Sequence, residues 1–207
     1  MTATELLQLL NDADEREDLE AKRGGRISDS VMETVCAFAN TPDLGGGTLL
    51  LGVVREENGE SLFPQYKVVG IGDPDQLQSD LASQCASRFN QRIRPTVSVE
   101  KLGGKIVLIA RVPESPKGQK PIYFGSEGLP SGAFIRVGPT DQRCTDDDLT
   151  VFYTDRDGYD ATLLDGVTTQ YVDSEAIARY RTLRARVNAD AEELNLDDGG
   201  PPRSPQL

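Results

Sequence analysis

Apolar positions along the chain recur with two periods, and each period predicts a kind of element. Leu6, Leu7 and Leu10 fall three and four apart, the spacing of a short amphipathic helix over residues 4–10, and an acidic stretch over 11–18 follows it. Residues 18–22 alternate as a short strand does, and Gly24-Gly25 marks a turn. Ser30 with Glu33 has the form of a capping box, opening a helix whose Val31, Val35, Phe38 and Ala39 share one face and which stops at Asn40-Thr41-Pro42. After a flexible Gly45-Gly46-Gly47 loop, residues 48–54 are almost wholly apolar, as in a central strand buried on both faces. Residues 68–71 read as another short strand. Asp73-Pro74 or Asp75 opens a second long helix with Leu77, Leu81, Cys85 and Phe89 every four residues. Residues 96–102 and 105–112 flank Gly103-Gly104 as a β-hairpin, and a polar loop over 113–119 leads to short strands at 122–124 and 133–137. Beyond Thr140 the pattern is polar and irregular until Asp173-Ser174 caps a third helix with the stripe Ile177, Tyr180, Leu183, Val187, Ala191 and Leu194.

This order predicts an α+β fold: a mixed, mostly antiparallel sheet with two or three packed helices, placed mainly on one side. A length of 207 residues fits one domain with an appendage. The expected division is a domain over 1–150, an irregular acidic segment with a helix over 151–196, and a disordered Gly- and Pro-rich tail over 197–207. No stretch of about 18 apolar residues predicts a membrane span, and the N-terminus lacks the basic and apolar regions of a signal peptide. The expectation is a cytoplasmic chain with no membrane partner.

Composition narrows the chemistry. Three cysteines, Cys36, Cys85 and Cys144, are widely spaced, and histidine is absent. A disulfide framework and a Cys/His zinc site are therefore not expected, and Ser/His or Cys/His catalysis is excluded. The net charge of −12 argues at first against nucleic acid, but it is unevenly spread. Residues 141–198 carry 15 acidic and 6 basic side chains, whereas residues 1–140 carry 19 and 15. A body so nearly balanced can present a local basic patch.

Glu15, Glu20 and Lys22 are the sharpest chemical candidates. Two hard carboxylates can hold Mg²⁺ or Mn²⁺, and a lysine two residues along a strand shares the face of the second carboxylate. The competing reading is a solvated acidic surface, because Asp12, Asp14, Glu17 and Asp18 lie alongside. Candidates for phosphate contact are Lys22, Arg23, Arg26, Arg88, Arg92, Arg94, Lys117, Lys120 and Arg136, with Arg88 and Arg92 one helical turn apart. The triple glycine precedes a strand, so it is not a P-loop.

Four pieces of the chain together resemble one family. They are Glu15-Arg-Glu-Asp-Leu-Glu20-Ala-Lys22; Cys36-Ala-Phe-Ala-Asn40-Thr41 with Gly45-Gly-Gly47 and Leu49-Leu-Leu-Gly-Val53; Lys120-Pro121-Ile-Tyr123; and Phe134-Ile-Arg136-Val-Gly138-Pro-Thr140. Their order and spacing are similar to those of the Schlafen AlbA-type domain, from about residue 15 to 148. The resemblance implies a nucleic-acid-binding α+β domain. In some members it implies a metal-dependent endoribonuclease with three carboxylates acting on tRNA-like RNA, and in bacterial members regulatory or defence roles and an inherited ATP-binding label. It makes Arg136 the best single phosphate contact. It also places Arg55 near where nuclease members carry their third carboxylate, just after Gly52-Val53; an arginine there would repel a metal and contact phosphate itself.

Two function classes follow. One is a module that docks on RNA or DNA backbone, with a homodimer compatible; the other is a Mg²⁺- or Mn²⁺-dependent endoribonuclease using Glu15 and Glu20. A nucleotide-binding regulator is a further alternative. The sequence leaves open whether the chain is an enzyme.

Overall fold

The computed structural model describes residues 1–56, 65–154 and 174–187. The chain divides into two units, Met1–Asp157 and Gly158–Leu207. The first is α+β. Its elements are α1 (Ala3–Ala13), β1 (Leu19–Lys22), α2 (Asp29–Asn40), β2 (Gly46–Leu51), β3 (Val53–Glu56), β4 (Gln65–Val68), α3 (Pro74–Ser87), β5 (Thr96–Leu102), β6 (Lys105–Pro113), a 3₁₀ turn at Lys117–Gln119, β7 (Phe134–Val137), β8 (Thr140–Arg143) and α4 (Asp146–Thr154). In the second unit α5 (Ser174–Val187) is the described element. The expected irregular stretch over 155–173, the positions Ala191 and Leu194, and the tail over 197–207 lie outside the described residues.

The central sheet runs β1-β2-β6-β5, with β1 parallel to β2 and the other pairs antiparallel. The parallel pair needs a crossover, and α2 supplies it. Leu49, Leu51, Leu108, Ala110 and Val112 point to one face and pack with α2 and α3 through Val31, Val35, Phe38, Leu77, Leu81 and Cys85. Leu50, Val107 and Ile109 point to the other, where α1 covers them with Leu6 and Leu10. Helices therefore lie on both faces, a correction to the expected one-sided packing. Both faces of the middle strands must be dry, which is why residues 48–51 carry no polar alternation.

Three local readings change for identifiable reasons. Ser28, not Ser30, caps α2, its hydroxyl accepting from Val31 N–H. The apolar run over 48–54 is two strands, because Gly52 at φ +97 turns β3 into a separate two-stranded sheet with β4. Of the stretch after Thr140, residues 140–154 form regular elements: β8 pairs with β7 around Gly138, and α4 follows. The hairpin at Gly103-Gly104 is as expected, with both glycines at positive φ.

Candidate functional site

The most charged part of the interior forms where β1, α2, β7 and β8 meet. The side chain of Arg136, on β7, is fully enclosed. Its Nη1 donates to Glu20 Oε2 at 2.5 Å and to Asp141 Oδ1 at 2.7 Å. Its Nε reaches the carbonyl of Glu17 at 3.1 Å and its Nη2 that of Arg16 at 2.9 Å. The Thr34 hydroxyl donates to Asp141 Oδ2 at 2.5 Å, and the guanidinium sits 5.0 Å over the Phe38 ring. A charge without water persists only where it is paired and hydrogen-bonded, and all three nitrogens of this guanidinium have partners.

Lys22 forms an ion pair with the other Glu20 oxygen, so the expected shared face of these two residues is present, and it donates to Ser30 Oγ at 2.7 Å. Glu15 lies alongside, its Oε1 accepting from Ala21 N–H at 3.1 Å. Burial pushes its carboxyl above the ordinary value; the Ala21 N–H pulls the other way, and the neighbouring Glu20 charge adds to the rise. Arg55, on β3, is held by Asp14 at 2.8 Å, and Asp14 also accepts from the Tyr66 hydroxyl at 2.5 Å. Burial and that hydrogen bond push the Tyr66 phenol up.

This donor set does not fit a divalent ion. Mg²⁺ asks for near-octahedral oxygen ligands. Glu20 has Lys22 on one oxygen and Arg136 on the other, and one Glu15 oxygen is committed to backbone. Among the described residues no group of three or more acidic, histidine or cysteine side chains converges as a metal site would require. Arg136 occupies the place between Glu20 and Asp141 where a cation would bring the two carboxylates together.

The basic candidates separate by partner. Arg136 was the best expected phosphate contact, and the structure corrects this: its guanidinium is inside, consumed by Glu20, Asp141 and two carbonyls. Lys120 is corrected likewise, buried with its ammonium 2.5 Å from Glu114. Burial would raise the Glu114 carboxyl, but Lys120 and the N–H groups of Gly45 and Asp43 outweigh that and hold it low. Lys120 thus secures the glycine loop through Glu114. Lys117 is exposed on the 3₁₀ turn. Arg88 is tied to Asp29 at 2.8 Å and lies over Phe124. Arg88 and Arg92 do not share a helix face, because α3 ends at Ser87 so that Phe89 can bridge to Phe124. Arg23, Arg26, Arg92 and Arg94 are exposed, and among the described residues none of them is in an ion pair.

Arg23 and Arg26 rim a cleft of about 350 Å³ lined by Lys22, Gly24, Gly25, Ser28 and Val31, where β1 ends and α2 begins. The first N–H groups of α2 and its dipole add positive potential there.

Other matched positions hold the fold together. Asn40 donates to the carbonyls of Ile122 and Phe134 and accepts from Ile122 N–H, so it staples the 122 segment and β7 to α2. Thr41 Oγ1 accepts from Arg136 N–H. Packing explains two of the three glycines: a Cβ on Gly46 would lie 2.0 Å from the Val112 carbonyl, and one on Gly47 2.3 Å from the Phe38 ring, whereas Gly45 has open space and is favoured by its φ of +73. Sequence reasoning missed Asp141, Thr34 and Asp14. Asp141 was findable, since a turn at Gly138 sets it directly across from Arg136. The three cysteines are buried thiols, Cys85 and Cys144 pushed up to about 12 by loss of water, so none is a ready nucleophile.

Fold and site together define an α+β domain with a carboxylate–guanidinium centre inside and, among the described residues, exposed arginines outside any ion pair. The chain belongs to the Schlafen AlbA_2 family, whose model matches residues 15–145. Among solved structures it is similar to the N-terminal domain of a RecG-related protein of Nitrosomonas europaea, named after the ATP-dependent DNA helicases. The two are 50% identical, with a TM-score of 0.59, over 70% of this chain and 94% of that one. A weaker likeness is to the DIP2311 protein of Corynebacterium diphtheriae, at 20% identity and TM-score 0.48 over 95% of this chain and 36% of that one. No curated protein matches. Among the described residues no helix is long and apolar enough to cross a membrane.

Proposed function

We propose that this domain binds nucleic acid through its phosphate backbone, at the cleft where β1 ends and α2 begins, and that it binds without cutting. The observation carrying this is the arrangement of Lys22, Arg23 and Arg26 around that cleft, with both arginines exposed and outside any ion pair among the described residues. Guanidinium groups recognise phosphate oxygens through paired N–H donors, and a helix N-terminus favours anions. The relative named after DNA helicases supports a nucleic-acid ligand, as does the family. The donor set supports the non-catalytic part of the reading, since Arg136 and Lys22 are paired with the Glu20 carboxylate that a metal would need.

The test is fluorescence anisotropy with a tRNA, a single-stranded oligonucleotide and a DNA duplex. Wild type should bind at least one of them, and affinity should fall steeply with salt. Arg23→Ala with Arg26→Ala should flatten the slope of log K against log salt by about 1.5, at roughly 0.7 to 0.9 per lost phosphate contact. Absence of binding to all three ligands at about 50 mM salt would overturn the reading. Parallel gels with Mn²⁺ or EDTA should show no cleavage; cutting that EDTA abolishes would overturn the non-catalytic part.

A further inference from the structure

A second cleft, of about 360 Å³, opens at the other end of β1, with the triple glycine in its wall, and the proposed binding surface does not account for it. Asp18, Gly45, Gly46, Gly47 and Thr48 line one side, and Arg94, Thr96, Arg111, Val112 and Pro113 the other. Strand register explains how it is built. Thr48, Arg111 and Thr96 stand in one row across β2, β6 and β5, so the Arg111 side chain rises between two threonines on the same face. Arg111 donates from Nη2 to the Met1 carbonyl at 2.6 Å, a neutral partner that leaves its charge uncompensated. Arg94 is exposed, and among the described residues neither arginine is in an ion pair. The one carboxylate in the lining, Asp18, is held by the Arg16 guanidinium at 2.7 and 2.9 Å, which cancels its charge locally. The cleft therefore presents two unpaired guanidiniums and two hydroxyls in a chain of net charge −12.

We infer that this cleft is a site for a phosphate monoester. Two guanidiniums match the charge of about −1.5 to −2 that a monoester carries near neutral pH, whereas a backbone diester carries a single charge. The volume suits one nucleotide rather than a duplex. The chemistry is shared by the terminal phosphate of a strand and by a free nucleotide. The site is independent of the Lys22 cleft, which a strand would contact through internal phosphates.

The experiment compares one single-stranded 12-mer with and without a 5′- or 3′-phosphate, together with a free nucleoside monophosphate, followed by anisotropy and by backbone amide shifts. A terminal phosphate should tighten binding about tenfold, the scale of one charge-assisted contact. It should also move the amides of Gly46, Gly47 and Thr48. Arg94→Ala, at an exposed position, should remove most of that preference while leaving the thermal midpoint and the binding of the unphosphorylated strand intact. Arg111→Lys keeps the charge and should retain part of the preference. Movement of the same amides by the free monophosphate assigns a nucleotide ligand; movement by the phosphorylated strand alone assigns a strand end. Equal binding of all three strands, or a preference that survives Arg94→Ala with Arg111→Ala in a folded protein, would overturn the site. Either result would leave binding at Arg23 and Arg26 standing.

Discussion

Replacing Arg136 by alanine distinguishes a structural guanidinium from one that contacts phosphate. The substitution leaves Asp141 without a cation and Glu20 with Lys22 alone in a largely enclosed site, and takes the guanidinium donors from the Glu17 and Arg16 carbonyls. Removing one partner of a buried ion pair costs about 3 to 5 kcal/mol, because the remaining charge keeps its desolvation penalty. Domains of this kind have about 5 to 15 kcal/mol of stability in total. At roughly 2 to 4 °C per kcal/mol for a domain of 150 to 250 residues, the midpoint should fall by about 6 to 20 °C. Urea unfolding followed by circular dichroism measures the loss directly. Arg136→Lys should lie between wild type and alanine, since an ammonium can meet a carboxylate but cannot also reach both carbonyls. Arg136→Met combined with Asp141→Asn should be more stable than Arg136→Met alone, since Asp141 is the carboxylate left without a cation and asparagine still accepts from the Thr34 hydroxyl. A loss below about 1 kcal/mol, the range of ordinary surface changes, accompanied by weaker nucleic-acid binding, would refute the buried network and restore Arg136 as a phosphate contact.

Two further outcomes are expected. The Glu15 carboxyl titrates higher in the folded chain than its ordinary 4.5, so the folded state holds that proton more tightly than the unfolded state does. Its contribution favours folding fully below pH 4.5 and is lost as pH rises through the folded value. Glu15→Gln, which keeps the acceptor for Ala21 N–H, should therefore raise the midpoint at neutral pH, with the gain shrinking below pH 4.5; a gain independent of pH would refute the assignment. Gly46→Ala and Gly47→Ala should each destabilise severely, by the overlaps with Val112 and Phe38, whereas Gly25→Ala, with nothing within 4 Å, should leave the midpoint nearly unchanged in the same melting assay.

Local periodicity and turn chemistry were enough to read most of the elements. The four-residue repeat of Leu77, Leu81 and Cys85 makes α3 amphipathic wherever it packs, and Gly103-Gly104 forces a tight hairpin because both residues take positive φ. The family was equally legible, since its short motifs are strings of neighbours. Their physical meaning was not legible. Whether Arg136 faces water or a carboxylate depends on Glu20, 116 residues earlier, and on the turn that brings Asp141 across from it. Nothing in the local sequence distinguishes a guanidinium bound for solvent from one bound for the interior. The same holds for Lys120 and Glu114, and for the row of Thr48, Arg111 and Thr96, which exists only once β2, β6 and β5 lie in register. Local chain chemistry decided which helices and strands form. Tertiary packing decided which charges cancel, and so which arginines, among the described residues, stay outside ion pairs.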